Sequence, residues 1–345
     1  MLRRKSARRI SSAARLPIAA IALTLCATLT GCGLLGGDDQ GSSQGQPGSG
    51  AVEKAKIRVG VLPVVDVAPF YRAVEQGYFK EQGLEVEPVV MASGAASING
   101  VVSGDVDIAF ASYPAPLLAQ SKKVADLRIV ADALQAKPGH LVVVAPPNSP
   151  LKKASDAPGK KIAITARNTF TDLAPMSVLK TQGVDYTQVQ WVEMQFPQMV
   201  VAMEKGEVDG AVAVEPWVTT SMKKLGAVPV FDGASGPTSE IPMSGYISNG
   251  GKDKFGARNP NTIAAFQRGL AKAQAEGTDR AKMEPMFVKY AKIDEQTAKL
   301  VTISTYPTSL EANRIQRVAD LMEQFEVIKG KLEVSTMISP SAGQK

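Results

Sequence analysis

Gly104-Asp105-Val106-Asp107-Ile108-Ala109 is written a second time as Gly206-Glu207-Val208-Asp209-Gly210-Ala211. Three more stretches repeat in the same chain order. Lys56-Ile57-Arg58-Val59 returns as Lys161-Ile162-Ala163-Ile164, and Asp66-Val67-Ala68-Pro69 as Asp172-Leu173-Ala174-Pro175. Gln82-Gly83-Leu84-Glu85 returns as Gln182-Gly183-Val184-Asp185. The repeated unit carries strand, helix and turn signals, so it predicts two similar α/β lobes facing each other. Paired lobes make a cleft that a hinge closes on a small molecule.

Working outward from these echoes gives the element order. Residues 56–62 alternate charged and β-branched side chains and then turn fully apolar, as a buried parallel strand does. A loop over 63–68 leads to a helix opened by Pro69, with Phe70, Ala73, Val74 and Tyr78 along one face. A strand over 85–90 follows. Ser93 caps a helix that stops at Gly104. Strands are predicted over 107–111, 128–132 and 140–145, with a helix opened by Ser112 and Pro114. The second copy predicts strands over 161–165, 189–192, 210–214 and 228–231. Its helices run from Pro175 to about Thr181 and over 197–205. A strand over 244–248 and amphipathic helices after Asn259 and over 312–326 close the chain, and their apolar stripes should bury mostly on the first lobe. Alternating strands and helices imply Rossmann-like lobes with parallel sheets and right-handed crossovers. The expected division is 55–144 with 241–338 as lobe 1, 145–240 as lobe 2, and a loose tail over 339–345. Two crossings, near Val144 and near Glu240, form the hinge.

The start of the chain is of another kind. Arg3, Arg4, Lys5, Arg8, Arg9 and Arg15 precede an apolar run over 16–29, shorter than the roughly 20 residues of a membrane span. Leu29-Thr30-Gly31-Cys32 resembles a lipobox. The expectation is a signal peptide over 1–31, lipidation of Cys32, and a Gly/Ser-rich flexible tether over 32–54. An uncleaved N-terminal anchor is the alternative. The formal charge of +6 comes from 39 basic and 33 acidic residues, and all six leader charges are basic. Without the leader the balance is zero, so the basic pI gives no reason to expect nucleic acid. Cys26 and Cys32 are the only cysteines. That excludes a disulfide framework and a cysteine zinc site in the folded part.

In open α/β sheets the ligand lies beyond the carboxyl ends of the strands. The loops there are 63–68, 91–96, 112–113, 165–171, 194–196 and 215–217. Most run into a helix N-terminus, where free N–H groups and the dipole favour negative or hydrogen-bonding groups. The candidate ligand-binding residues are Asp66, Ser93, Gly94, Ser112, Tyr113, Arg167, Asn168, Thr169, Phe196, Glu215 and Trp217. Asp66 and Asp172 share a repeat position and read either as helix caps or as ligand contacts, with the contact reading stronger for Asp66. Asp107 and Asp209 read as structural. Arg167 suits an oxyanion or is an ordinary surface arginine. Glu215-Pro216 reads as a cap or as a contact. Aromatic residues make up 6% of the chain, so Tyr113, Phe170, Phe196 and Trp217 on these loops point to a ring-stacking pocket as well as to core packing.

Catalytic equipment is missing from the pattern. His140 is the one histidine, which leaves no Ser-His-Asp set and no histidine metal cluster; a core or hinge role is expected for it. The stretch before Gly251-Lys252 lacks the first glycine of a phosphate loop, and Asp253 stands where a hydroxyl is needed. The expectation is a binder without enzymatic activity, cofactor or metal.

Pro69-Phe70-Tyr71-x-Ala73-x-Glu75-x-Gly77-Tyr78-Phe79, followed by Gly83-Leu84-x-Val86, resembles the first helix and second strand of a group of solute-binding proteins. These are the ABC-importer receptors for nitrate, aliphatic sulfonates and taurine, with relatives that bind thiamine pyrimidine precursors. Ser103 to Ala109, Gly206 to Ala211 and Glu215-Pro216 are similar to that family's further signatures. The resemblance implies a type II periplasmic-binding-protein fold and a small nitrogen- or sulfur-containing ligand. It implies delivery to ABC permease subunits with their ATPase, from a lipid-anchored position outside the cell membrane, by a monomer. It leaves the ligand open between an oxyanion and a heteroaromatic ring. A sensor of the same fold signalling to a membrane partner is the alternative.

Overall fold

The computed structural model describes residues 51–340. The leader, Cys32 and most of the expected tether lie outside the described residues, as do residues 341–345. Two separate five-stranded sheets carry the fold. The first is built from β1 (Lys56–Val61), β2 (Glu85–Val90), β3 (Ile108–Ser112), β4 (Leu127–Gln135) and β10 (Pro242–Asn249), in the order β2-β1-β3-β10-β4. The second uses β5 (Leu141–Ala145), β6 (Lys161–Ile164), β7 (Gln190–Glu193), β8 (Gly210–Val214) and β9 (Val228–Asp232), in the order β7-β6-β8-β5-β9. The two orders superpose term by term, as the repeat requires.

The sheets are mixed, not parallel throughout. β10 runs antiparallel to β3 and β4, and β5 antiparallel to β8 and β9. A parallel neighbour needs a crossover of a dozen or more residues. β4 passes to β5 through 136–140 alone, and β9 to β10 through 233–241, so each crossing strand enters the other sheet reversed. The first crossing therefore lies at 136–140 and not near Val144, which sits inside β5 and pairs with Ala211 of β8. Residues 141–144 thus belong to the second sheet. The chain returns to the first sheet through 233–241, ahead of β10.

The structural aspartates behave alike in both copies. Asp107 accepts from the Arg58 backbone N–H at 3.0 Å, and Asp209 from that of Lys161 at 2.8 Å. Each pins its third strand to the start of the first.

Helices fill the connections. In the first half these are α1 (Ala68–Glu75), α2 (Gly94–Ser103) and α3 (Pro114–Ser121); in the second, α4 (Phe170–Thr181), α5 (Phe196–Glu204) and α6 (Trp217–Leu225). α4 opens at Phe170, well before Pro175. Thr169 and Asp172 make a capping box there, and Pro175 lies inside the helix. The closing section is α7 (Phe255–Arg258), α8 (Pro260–Gln274), α9 (Arg280–Tyr290), α10 (Glu295–Leu300) and α11 (Ala312–Gln324). α8 and α9 bury their stripes on α1 and, for α8, on the turn that follows it, with Phe79 stacked on Phe266 at 5.2 Å and Tyr71 on Tyr290 at 3.5 Å. The rest lies mostly with first-sheet elements, as expected, but also reaches the second sheet. α11 packs against both α3 and α4, so Ile315, Val318 and Met322 lie in one core with Leu127 and Ile129 of the first sheet and Leu141 and Ile162 of the second. Tyr186 meets Phe325 edge-on at 5.4 Å, beyond the end of α11. Among the described residues no helix is long and apolar enough to cross a membrane.

Candidate functional site

Strand register places the candidate loops. Val61 pairs with Val90, Gly60 with Ala109, and Ser112 with Ser244, so the loops holding Asp66, Ser93 and Ser112 share the carboxyl edge of the first sheet. Ile164 pairs with Glu193 and Ala163 with Ala211. Arg167, Phe196 and Glu215 therefore share the corresponding edge of the second. Among the described residues no hydrogen bond or ion pair joins the first set of candidates to the second.

In the first set, Asp66 is half-buried on a short 3-10 turn between β1 and α1. Among the described residues, the Ser244 hydroxyl is the single side chain that donates to its carboxylate, at a long 3.4 Å. Burial pushes the Asp66 carboxyl up to about 6, against its own backbone N–H and Ser244. Ser112, the register partner of Ser244, is exposed and donates to the Met243 carbonyl at 3.2 Å. Ser93 is exposed and caps α2 by accepting from the Ala96 N–H, with Gly94 half-buried beside it. Tyr113 is not on this surface. It is fully buried, and its hydroxyl donates to Asp132 at 3.0 Å. Arg314 completes that buried group, 3.2 Å from Asp132. A Cβ at Gly245 would collide with the Tyr113 ring, so the ring's place is fixed by the strand that crosses behind it.

In the second set, Asp172 settles on the capping reading. Its carboxylate accepts from the N–H groups of Asn168 and Thr169, both at 2.8 Å, and of Leu173 at 3.0 Å. The N–H groups of the candidates Asn168 and Thr169 are thereby taken within the chain. Asn168 adopts a left-handed φ of 63°, a conformation that asparagine tolerates better than most residues. Arg167 is exposed. Phe170 is buried at the start of α4. Phe196 and Trp217 are brought together as near-parallel rings with centroids 6.1 Å apart. Trp217 also borders a 410 Å³ groove with Pro197, Val201 and Leu225.

Glu215 is buried, with 2% of its surface exposed. It accepts from the Thr219 N–H at 3.2 Å and the Thr219 hydroxyl at 2.9 Å, which ties it to the first turn of α6. It also accepts from the Thr302 N–H at 2.9 Å. Burial raises its pKa against those bonds. Thr302 belongs to a segment that sequence reading passed over. Three residues on, the Thr305 carbonyl accepts from Gln135 of β4 at 2.9 Å, and the Tyr306 hydroxyl donates to the Val65 carbonyl at 3.4 Å. Residues 302–306 thus touch the second-sheet edge at Glu215 and the first-sheet edge beside Asp66. No local pattern announces them, because the contacts are made across 87 and 241 residues of chain. Ser244 was invisible for the same reason: it arrives on the crossing strand. His140 lies fully buried in the first crossing, and burial lowers it to about 4, which keeps it neutral. Among the described residues no group of His, Cys, Asp or Glu side chains is placed to hold a metal ion.

The family model described as the NMT1-like family matches residues 50–287. The chain belongs to the NMT1-like family. It is 27% identical over 198 residues to the taurine-binding periplasmic protein of Escherichia coli (strain K12), a match covering 57% of this chain and 59% of that one. It is 22% identical over 297 residues to the putative aliphatic sulfonates-binding protein of Bacillus subtilis (strain 168), covering 82% and 85%. A solved structure, the alkanesulfonate-binding protein of Xanthomonas axonopodis pv. citri bound to MOPS, superposes with a TM-score of 0.70 at 17% identity, covering 84% of this chain and 99% of that one. The periplasmic nitrate-binding protein from Synechocystis PCC 6803 gives a TM-score of 0.66 at 16% identity, covering 84% and 86%. The NMT1-like chain therefore has the periplasmic-binding-protein fold, and these relatives are binding proteins, not enzymes.

Proposed function

We propose that this chain is the extracytoplasmic solute receptor of an ABC importer, holding a small nitrogen- or sulfur-containing compound between its two sheet edges. One observation carries the reading. Two matching sheets, joined by two short crossings, each present a set of carboxyl-edge loops whose candidate residues, among the described residues, share no hydrogen bond or ion pair with the other set. In a receptor that closes by a hinge, the solute supplies the contacts that favour the closed state. Asp66, Ser93, Gly94, Ser112 and Arg167 form the proposed lining, with the Phe196–Trp217 pair at its margin. Tyr113, Glu215 and the backbone of Asn168 and Thr169 support the loops behind it. The two lobes are then 51–135 with 242–338, and 141–232. Lipidation at Cys32 would hold the receptor at the outer face of the membrane, beside the permease and its ATPase.

Titration calorimetry of the purified folded part with nitrate, alkanesulfonates, taurine and aminopyrimidines tests this directly. Saturable heat with at least one compound, and a matching rise in melting temperature, is expected. Silence across the whole panel at millimolar concentration sinks the receptor reading. Uptake by the reconstituted permease separates import from signalling.

A further inference from the structure

The second-sheet loops supply their own hydrogen-bond acceptors. Asp172 occupies the N–H groups at the start of α4, Glu215 that of Thr219 in α6, and the Gln198 side chain that of Gln195 ahead of α5. Part of the donor capacity at these helix starts is thereby taken up within the chain. The first sheet adds a further carboxylate, Asp66. It forms no ion pair among the described residues, and its own backbone N–H with Ser244 at 3.4 Å still leave acceptor capacity unused. A carboxylate has about four lone-pair sites and no donor once ionised. Leaving such a group half-buried and short of partners is costly unless something else donates to it. Its surroundings are phenolic: burial first, and then the Asp66 charge, pushes the Tyr246 and Tyr306 hydroxyls up.

A solute made only of acceptors, such as nitrate or a plain alkanesulfonate, brings nothing that Asp66 can use and adds like-charge repulsion. We infer that the solute carries a nitrogen donor, either a protonated amine or an amino group on a heteroaromatic ring, and that this nitrogen docks on Asp66. Arg167, exposed on the opposite edge, remains for an acidic group at the solute's far end. The inference rests on the receptor reading above and narrows it to nitrogen-donating compounds.

Matched pairs test it on the folded protein: taurine against ethanesulfonate, and an aminopyrimidine against the same ring without its amino group. In at least one pair the amino compound should bind about 30-fold tighter or more, the scale of one charge-assisted hydrogen bond in a partly desolvated site. Asp66→Ala should erase that gap. Asp66→Asn, which keeps the side chain's size, guards against misfolding and should also weaken the preference. Equal or tighter binding of the compounds lacking the amino group, or of nitrate, overturns the inference while leaving the receptor reading intact. So does a preference that survives both variants. If nothing in either pair binds, nor nitrate, the receptor reading fails and this inference fails with it.

Discussion

Asp66 and Asp172 occupy the same position in two copies of one pattern, and the protein uses them oppositely. Asp172 accepts from three backbone N–H groups and closes the start of α4. Asp66 is left with its own backbone N–H and one distant hydroxyl. A second pair repeats the lesson, for Tyr113 and Glu215 each follow the third strand of a copy and precede a proline. Both are buried, but Tyr113 locks onto Asp132 inside the first half, whereas Glu215 ties α6 to the closing section. Asp107 and Asp209 do the same task in both copies. The aspartates that pin the strands keep one task in both copies, while the residues at the sheet edge diverge.

The largest test of this contrast is Asp172→Ala. It strands three N–H groups at a buried helix start, so stability measured by urea unfolding should fall by about 3 kcal/mol. A loss below about 1 kcal/mol would break the contrast, because Asp172 would then be no more engaged than Asp66. Glu215→Ala should cost about 2 kcal/mol, removing the bonds to the first turn of α6 and to Thr302. Hydrogen exchange at the Thr219 and Thr302 amides should speed up together.

Asp66→Asn should move stability the other way. The carboxyl sits at about 6 in the folded chain, above its ordinary value of 3.8, so the folded state binds the proton more tightly. Ionised Asp66 therefore costs stability as pH rises through the window from about 4 to about 6, and the cost persists above it. The asparagine variant should be more stable than wild type by about 1 kcal/mol at pH 8, with the difference closing near pH 4. Melting curves at both pH values check this, and a variant less stable at pH 8 would show that Asp66 is a satisfied structural group. The smallest effect belongs to Arg167→Ala, which should change stability by no more than about 0.5 kcal/mol. A larger loss in thermal unfolding would mean that the loop depends on that guanidinium.

Much of this was legible in the sequence, and the remainder failed for identifiable reasons. Four echoes fixed two sheets of like order, because strand and helix periodicities are local. They could not show that the fourth strand of each sheet comes from the far side of a crossing, since that depends on the brevity of 136–140 and 233–241. Pro175 misled the reading of α4 by analogy with Pro69, when the capping box three residues upstream of Asp172 had already started the helix. The site was legible as a set of loops. Which side chains on them are spent on the fold was not, because their partners Thr302, Ser244 and Asp132 lie far away along the chain.

The exchanged strands also set an order of assembly. Every strand of the second sheet is encoded between Leu141 and Asp232, whereas the first sheet stays open between β3 and β4 until β10 is made. On a ribosome the half encoded later can therefore finish earlier, while its predecessor waits with an unfilled slot exposing β-edges. A chain truncated after Asp232 would keep one complete half and one permanently gapped, prone to recruit a foreign strand.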